Sequence, residues 1–151
     1  MDLQFARNLA LRRLNRSECS SQELRSYLQR KGVTKEMASD VVRALIEQKL
    51  VDDERYTRIL ARQQALRGKG SAYISMKLKT KGITAPRSQV SHILDEVTDQ
   101  SELERACAIV ERRFPLAWSD RQEAARAVQA LVRRGFSFEI ARAACSKRNK
   151  E

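Results

Sequence analysis

Between Glu54 and Asp95 the chain carries no acidic residue, yet it holds Arg55, Arg58, Arg62, Arg67, Lys69, Lys77, Lys79, Lys81 and Arg87. A solvated helical face normally mixes charge signs. A run of 40 residues with one sign instead predicts a polyanionic partner or an acidic protein surface. The other residues capable of chemistry offer little machinery for a reaction. Asp52 and Asp53 are adjacent carboxylates, but they stand directly before a predicted helix and lack a third carboxylate at a useful spacing. Capping is therefore expected of them rather than metal binding or acid–base work. His92, the sole histidine, lies among Val90, Ile93 and Leu94, which predicts a packed or half-exposed ring with no nucleophile tied to it. Cys19, Cys107 and Cys145 show no C-x-x-C spacing and make no zinc set with one histidine. Cys107 and Cys145 sit in apolar helical surroundings and read as small core residues.

Two further groups admit a functional and a structural reading. Gly68-Lys69-Gly70 could offer backbone N–H groups to a phosphate, but it is far from a Walker A sequence, and a turn joining two helices is the expectation. Phe114 and Trp118, flanking Pro115, could stack bases. Packing of a helix joint is the expectation there. No catalytic residue, metal or cofactor is predicted.

The elements that hold these residues are legible from a phrase that occurs three times. "RKGVT" at Arg30–Thr34 returns as "TKGIT" at Thr80–Thr84 and as "RRGFS" at Arg133–Ser137. Each copy has a Leu four residues before its Gly (Leu28, Leu78, Leu131), a basic residue before the Gly, an apolar one after it, and then Thr or Ser. The glycines Gly32, Gly82 and Gly135 are 50 and 53 residues apart, a period that marks an internal repeat. Gly past a helix end closes the last turn in the left-handed conformation. The preceding cation meets the negative end of the helix dipole, and the Thr or Ser caps the next helix. The phrase is thus a joint between two helices.

Each repeat divides into three predicted helices. In the first, Leu3 to about Arg16 carries Ala6, Leu9, Ala10 and Leu14; a capping box of Ser20 and Glu23 opens a second helix; Thr34 caps a third with Ala38, Val41, Val42, Leu45 and Ile46. The next repeat opens at Asp52 or Asp53 with Tyr56, Ile59 and Leu60, continues after a Ser71 cap with Ile74 and Leu78, and ends on a helix whose first turn holds Pro86. The last begins near Ser101 with Leu103, Ala106, Cys107 and Val110, is capped again at Ser119 or Asp120 and at Ser137, and dissolves into the basic tail "SKRNKE". The expected fold is all-α, with three tandem three-helix repeats over residues 1–50, 51–100 and 101–151 forming one elongated, curved array. The net charge of +11 is spread almost evenly over those thirds. No apolar run exceeds the five residues Ala106–Val110, so no membrane span is expected. The start "MDLQFARNLALRRL" does not read as a signal peptide, and free thiols point to a reducing cytoplasm.

Over nearly its whole length the sequence resembles the RecX family, regulators of the bacterial recombinase RecA. The likeness is strongest from "SSQELRSYLQRKG" through "LVDDERYTRILARQ" and "RGKGSAYISMKLKTKGI", with a D-D-x-R-aromatic helix start, a basic G-x-G turn and I-x-x-x-L-x-x-K-G-I in order. Tyr56 stands where the family often has Phe, Ser71-Ala72 follow the G-x-G turn, and the third repeat keeps mainly "LVRRGF". The resemblance implies a crescent of three-helix units lying in the groove of the RecA–single-stranded DNA filament. There a monomer would restrain ATP hydrolysis, strand exchange, filament growth and co-protease activity. Candidate contacts are Arg62, Arg67, Lys69, Lys77, Lys79 and Lys81, supported by Arg25, Arg30, Arg126 and Arg133. Lys77 and Lys81 share one helix side while Lys79 points elsewhere. Lys31, Lys81 and Arg134 occupy equivalent places where a helix-end role competes with a binding one. A duplex-DNA regulator of helix-turn-helix type is the alternative, since paired helices about a Gly turn and basic charge suit it too.

Overall fold

A computed structural model describes residues 2–146, and these form the helices α1 (Leu3–Arg16), α2 (Ser21–Arg30), α3 (Lys35–Glu47), α4 (Asp53–Leu66), α5 (Ser71–Thr80), α6 (Arg87–Val97), α7 (Glu102–Arg113), α8 (Arg121–Arg133) and α9 (Phe138–Cys145). No strand occurs among the described residues. The all-helical expectation is borne out. Of the predicted basic tail, Lys147 to Glu151 lie outside the described residues.

Side-chain caps fix most of the helix starts. Ser20 and Glu23 form the predicted capping box on α2, and Ser101 with Glu104 forms another on α7. Thr34, Asp120 and Ser137 accept from Met37, Gln122 and Ile140 backbone N–H groups. Asp52 caps α4 by accepting from the N–H groups of Glu54 and Arg55 at 3.0 and 3.1 Å. Two expected starts differ. Ser71 is the first helical residue of α5 rather than its cap, because Gly70 supplies the carbonyl that receives the first helical bond, from Ile74 at 3.1 Å. Pro86 precedes α6 instead of lying in its first turn, and makes no side-chain cap.

All three recurring glycines are left-handed, with φ of 97°, 80° and 102° at Gly32, Gly82 and Gly135. In each joint the Gly N–H bonds the carbonyl three residues back. The N–H of the next residue reaches five back: Val33 to Leu28, Ile83 to Leu78 and Phe136 to Leu131, at 3.0 to 3.1 Å. That pair of bonds is the Schellman closure, and it explains why Leu, Gly and the following apolar residue keep their spacing. The shared phrase encodes one backbone geometry.

The chain forms two compact units. Among the described residues one comprises 2–57 and 78–84, the other 58–77 and 85–146, so the division passes through α4 and α5. The first is built on Leu24, Leu28, Val42 and Leu45, buried together with Ala6, Ala10 and Val51. The second is built on Val110, Leu131 and Phe136, with Ala127, Ala141 and Ala144 admitting close helix approach. Three residues assigned to helix interiors are exposed instead: Ile46, Ile59 and Leu103, at 43%, 37% and 41%. Ile46 follows Leu45 and is rotated about 100° off the buried stripe, while Leu103 lies in the first turn of α7, ahead of its buried set.

Candidate functional site

The joints do more than end helices. In the first unit, Ser20 Oγ donates to the Lys81 carbonyl at 2.7 Å, so the joint at Gly82 sits on the start of α2. In the second unit, the N–H groups of Gly70 and Ala72 donate to the carbonyls of Arg134 and Gly135 at 2.8 and 3.0 Å, and the joint at Gly135 sits on the start of α5. A second contact repeats beside each one. Asp53 accepts from the Ser21 N–H and hydroxyl at 2.7 and 2.8 Å. Glu102 accepts from the Ser71 N–H at 2.8 Å. The first residue of α4 or α7 thus holds the first residue of α2 or α5. These contacts consume groups that could have bound a ligand. Asp52 and Asp53 are occupied as a cap and a clamp. The N–H groups of Gly68, Lys69 and Gly70 bond the carbonyls of Ala65, Gln64 and Arg134, so the G-x-G turn presents none of them to a phosphate.

Within the second unit the end of α4, the α6–α7 connection, α7 and the third joint enclose a cleft of about 640 Å³. Arg62 and Arg67 line it as two of the predicted contacts, and Arg105, Arg112, Arg113 and Arg134 line it as well. Among the described residues Asp99 is the one acidic residue of the lining, leaving a formal excess of five positive charges there. Arg62, Arg67, Arg112 and Arg113 are exposed and form no ion pair among the described residues. Partial burial and then the neighbouring charges of Arg113 and Arg112 lower the pKa of Arg134. Arg105 is the anchor beneath them: 8% exposed, it donates to the Lys69 carbonyl at 3.0 Å and stacks 5.6 Å from the Phe136 ring centre. Burial lowers its pKa, against the opposing charge of Glu102. A concave wall of unpaired guanidinium groups is suited to planar, bidentate capture of phosphate or carboxylate oxygens.

The remaining predicted contacts are dispersed. Lys69 lies over the Tyr73 ring at 4.6 Å, Lys77 is half-buried on α5, Arg133 is exposed, and Arg126 is held by Glu123 one turn away. In the first unit, Lys79 is exposed and Arg25 is half-buried, with long bonds to Ser21 and Gln22. Arg30 and Lys81 line a smaller pocket with Arg13. Lys81 is tied to Glu23 at 2.8 Å. Its helix-end position therefore carries a structural ion pair. Arg112 and Arg113 were not singled out by sequence; their only signal is the pair of arginines in "ERRF", 45 residues beyond Arg67.

Other residues with chemical capacity serve packing. Trp118 is half-buried and its Nε1 donates to the Ala144 carbonyl at 2.8 Å, as a packed joint requires. His92 is 76% exposed, more than expected, with Nε2 3.3 Å from Glu96. Burial raises the Cys19 thiol and pushes Cys145 up to about 11, which disfavours the reactive thiolate. Among the described residues no cluster of three His, Cys, Asp or Glu could hold a metal, and no helix is long and apolar enough to cross a membrane.

Residues 6–45, 52–86 and 100–145 match, in turn, the first, second and third three-helix domains of RecX. Over 149 residues the chain is 34% identical to the regulatory protein RecX of Halorhodospira halophila, covering 96% of this chain and 89% of that protein. The chain belongs to the RecX family. It is also 27% identical to regulatory protein RecX of Streptococcus pyogenes serotype M3, where 93% of this chain spans 54% of that longer protein. The fold matches the crystal structure of RecX from Lactobacillus salivarius with a TM-score of 0.80, at 23% identity over 94% of this chain and 93% of that one. A second crystal structure, of regulatory protein RecX, matches with a TM-score of 0.75, at 22% identity over 91% and 68%. The RecX resemblance read from the repeats is thereby borne out, and the relatives are named as regulatory proteins.

In this RecX-family chain the Glu23 node is expected to set an acid limit on stability. Burial alone would raise the Glu23 carboxyl, but bonds from Lys81, the Ser20 N–H and Tyr56 outweigh it and hold the pKa below its ordinary value of 4.5. Burial, followed by the Glu23 charge, in turn pushes the Tyr56 hydroxyl up to about 12. A depressed carboxyl pKa adds stability above the unfolded value and loses it as pH falls through the folded value. Glu23→Gln is expected to cost about 1–2 kcal/mol at pH 7. It should also flatten the acid limb below the ordinary carboxyl value, where the unsubstituted chain weakens. Urea unfolding of both chains between neutral and acid pH measures this; parallel acid limbs would remove Glu23 as the cause.

Proposed function

We propose that this chain binds a RecA–single-stranded DNA filament and restrains its ATPase, strand-exchange and co-protease activities. It would act in the cytoplasm, as a monomer and without a cofactor. RecX-family membership supports the choice of partner. The observation that carries the reading is the convergence of Arg62 and Arg67 with Arg112, Arg113 and Arg134 on one cleft, a concentration of cations that form no ion pair among the described residues. Three tandem units over residues 1–50, 51–100 and 101–151 would spread further contacts from Arg25, Arg30, Lys69, Lys77, Lys79, Lys81, Arg126 and Arg133 along a repeating polymer.

The test adds the protein to RecA, single-stranded DNA and ATP. ATP hydrolysis and strand exchange are expected to fall in a saturable manner, with log affinity declining against log salt at a slope of about −3 to −4 if four to six phosphates are touched. Undiminished hydrolysis and exchange at saturating protein would contradict the reading. Footprinting on duplex fragments separates it from a helix-turn-helix regulator, which would protect two spaced half-sites.

A further inference from the structure

We infer that the arginine cleft of the second unit is a binding site for a polyphosphate chain, whether free or carried by a nucleoside. Its volume of about 640 Å³ lies within the range of small-molecule sites. A cleft of that size takes one or two nucleotides of a single strand, which bring roughly two negative charges. A triphosphate brings roughly four into the same space. Six arginines against Asp99, one of them (Arg105) already paired with Glu102, match the denser ligand better.

The lining points the same way. Single-strand sites interleave cations with aromatic rings that stack on bases. Among the described residues none that lines the cleft is aromatic; the apolar ones are aliphatic, among them Leu66, Val97 and Ile109. The phosphates are therefore the recognised part, and a base adds little. One guanidinium group of the cleft, that of Arg105, is fixed from beneath. Arg105 donates to the Lys69 carbonyl and lies against Phe136, while among the described residues Arg134 reaches the Gly68 carbonyl, at 3.5 Å. Most donors of Arg134 remain available, and like-charge crowding by Arg112 and Arg113 is relieved when an anion enters.

Calorimetry on the full chain with EDTA present tests this, using tripolyphosphate, ATP, AMP, a six-residue oligothymidylate and hexaglutamate as probes. Tripolyphosphate and ATP should bind one site within about threefold of each other, and AMP about 100-fold more weakly. ATP tighter than tripolyphosphate by more than about tenfold would overturn the phosphate-only recognition. Equal binding of AMP would overturn it as well, as would displacement of tripolyphosphate by equimolar oligothymidylate or hexaglutamate. Arg112 and Arg113 are exposed, so Arg112→Gln with Arg113→Gln should leave the circular dichroism unchanged and weaken tripolyphosphate about 50-fold. Arg12→Gln with Arg16→Gln, on α1, should leave it unchanged. Equal weakening in both pairs would mean nonspecific charge and end the proposal.

Discussion

Gly135→Ala is expected to destabilise the second compact unit by about 3–5 kcal/mol, combining a left-handed backbone penalty, a steric clash and weakened docking bonds. A Cβ at this position would lie 2.5 Å from the Tyr73 backbone nitrogen and 2.6 Å from its Cβ, neither of which can swing away. The carbonyls of Arg134 and Gly135 also receive the bonds from Gly70 and Ala72, so any retreat of the joint breaks them. The equivalent Gly82→Ala meets Gln22 Cβ at 2.5 Å, a side-chain atom fixed to α2, and should cost less. Gly32 is exposed, so there the change should cost only the conformational penalty, about 1 kcal/mol. Denaturant unfolding followed by circular dichroism should rank the variants Gly135, Gly82, Gly32. Equal losses at all three would show that the phrase ends helices and nothing more.

The second large effect is expected on binding. Arg62→Glu, Arg67→Glu and Arg113→Glu together should weaken filament association roughly 100-fold, since three cations of the cleft are lost and like charges introduced. None of the three forms an ion pair among the described residues, so helix content should not change. Arg126→Glu, removing a cation already held by Glu123, should have a much smaller effect. Inhibition by the triple variant at the same concentration as the unsubstituted chain would move the contact surface elsewhere.

What could be read in advance divides along physical lines. Helix joints, the capping boxes and the Leu–Gly spacing are local: each is set by residues within five positions, and the three copies of the phrase make them plain. The roles of Ser20 and Gly70 as platforms for Lys81 and Arg134 join residues about sixty apart, and nothing near either residue signals them. Ser71 illustrates the ambiguity. A serine at a helix start reads as a cap, but the tight approach of Gly135 to Gly70, where a Cβ would lie 2.5 Å from the Gly135 carbonyl carbon, fixes the cap at Gly70. Arg62 and Arg67 stand out in an acid-free run, whereas Arg112 and Arg113 sit near Glu111 and Glu104 and look like an ordinary mixed face. Only the fold gathers them.

On the proposed function the arginine cleft faces the filament. Photo-reactive residues placed singly at Arg62, Arg67 and Arg113, with Arg43 on α3 as a control, would be irradiated on preformed RecA–single-stranded DNA filaments and their attachment points mapped. Attachment from the three cleft positions to recombinase or DNA, with little from position 43, is the predicted result. Attachment from position 43 alone, or from none of the cleft positions while the protein still inhibits, would contradict the account.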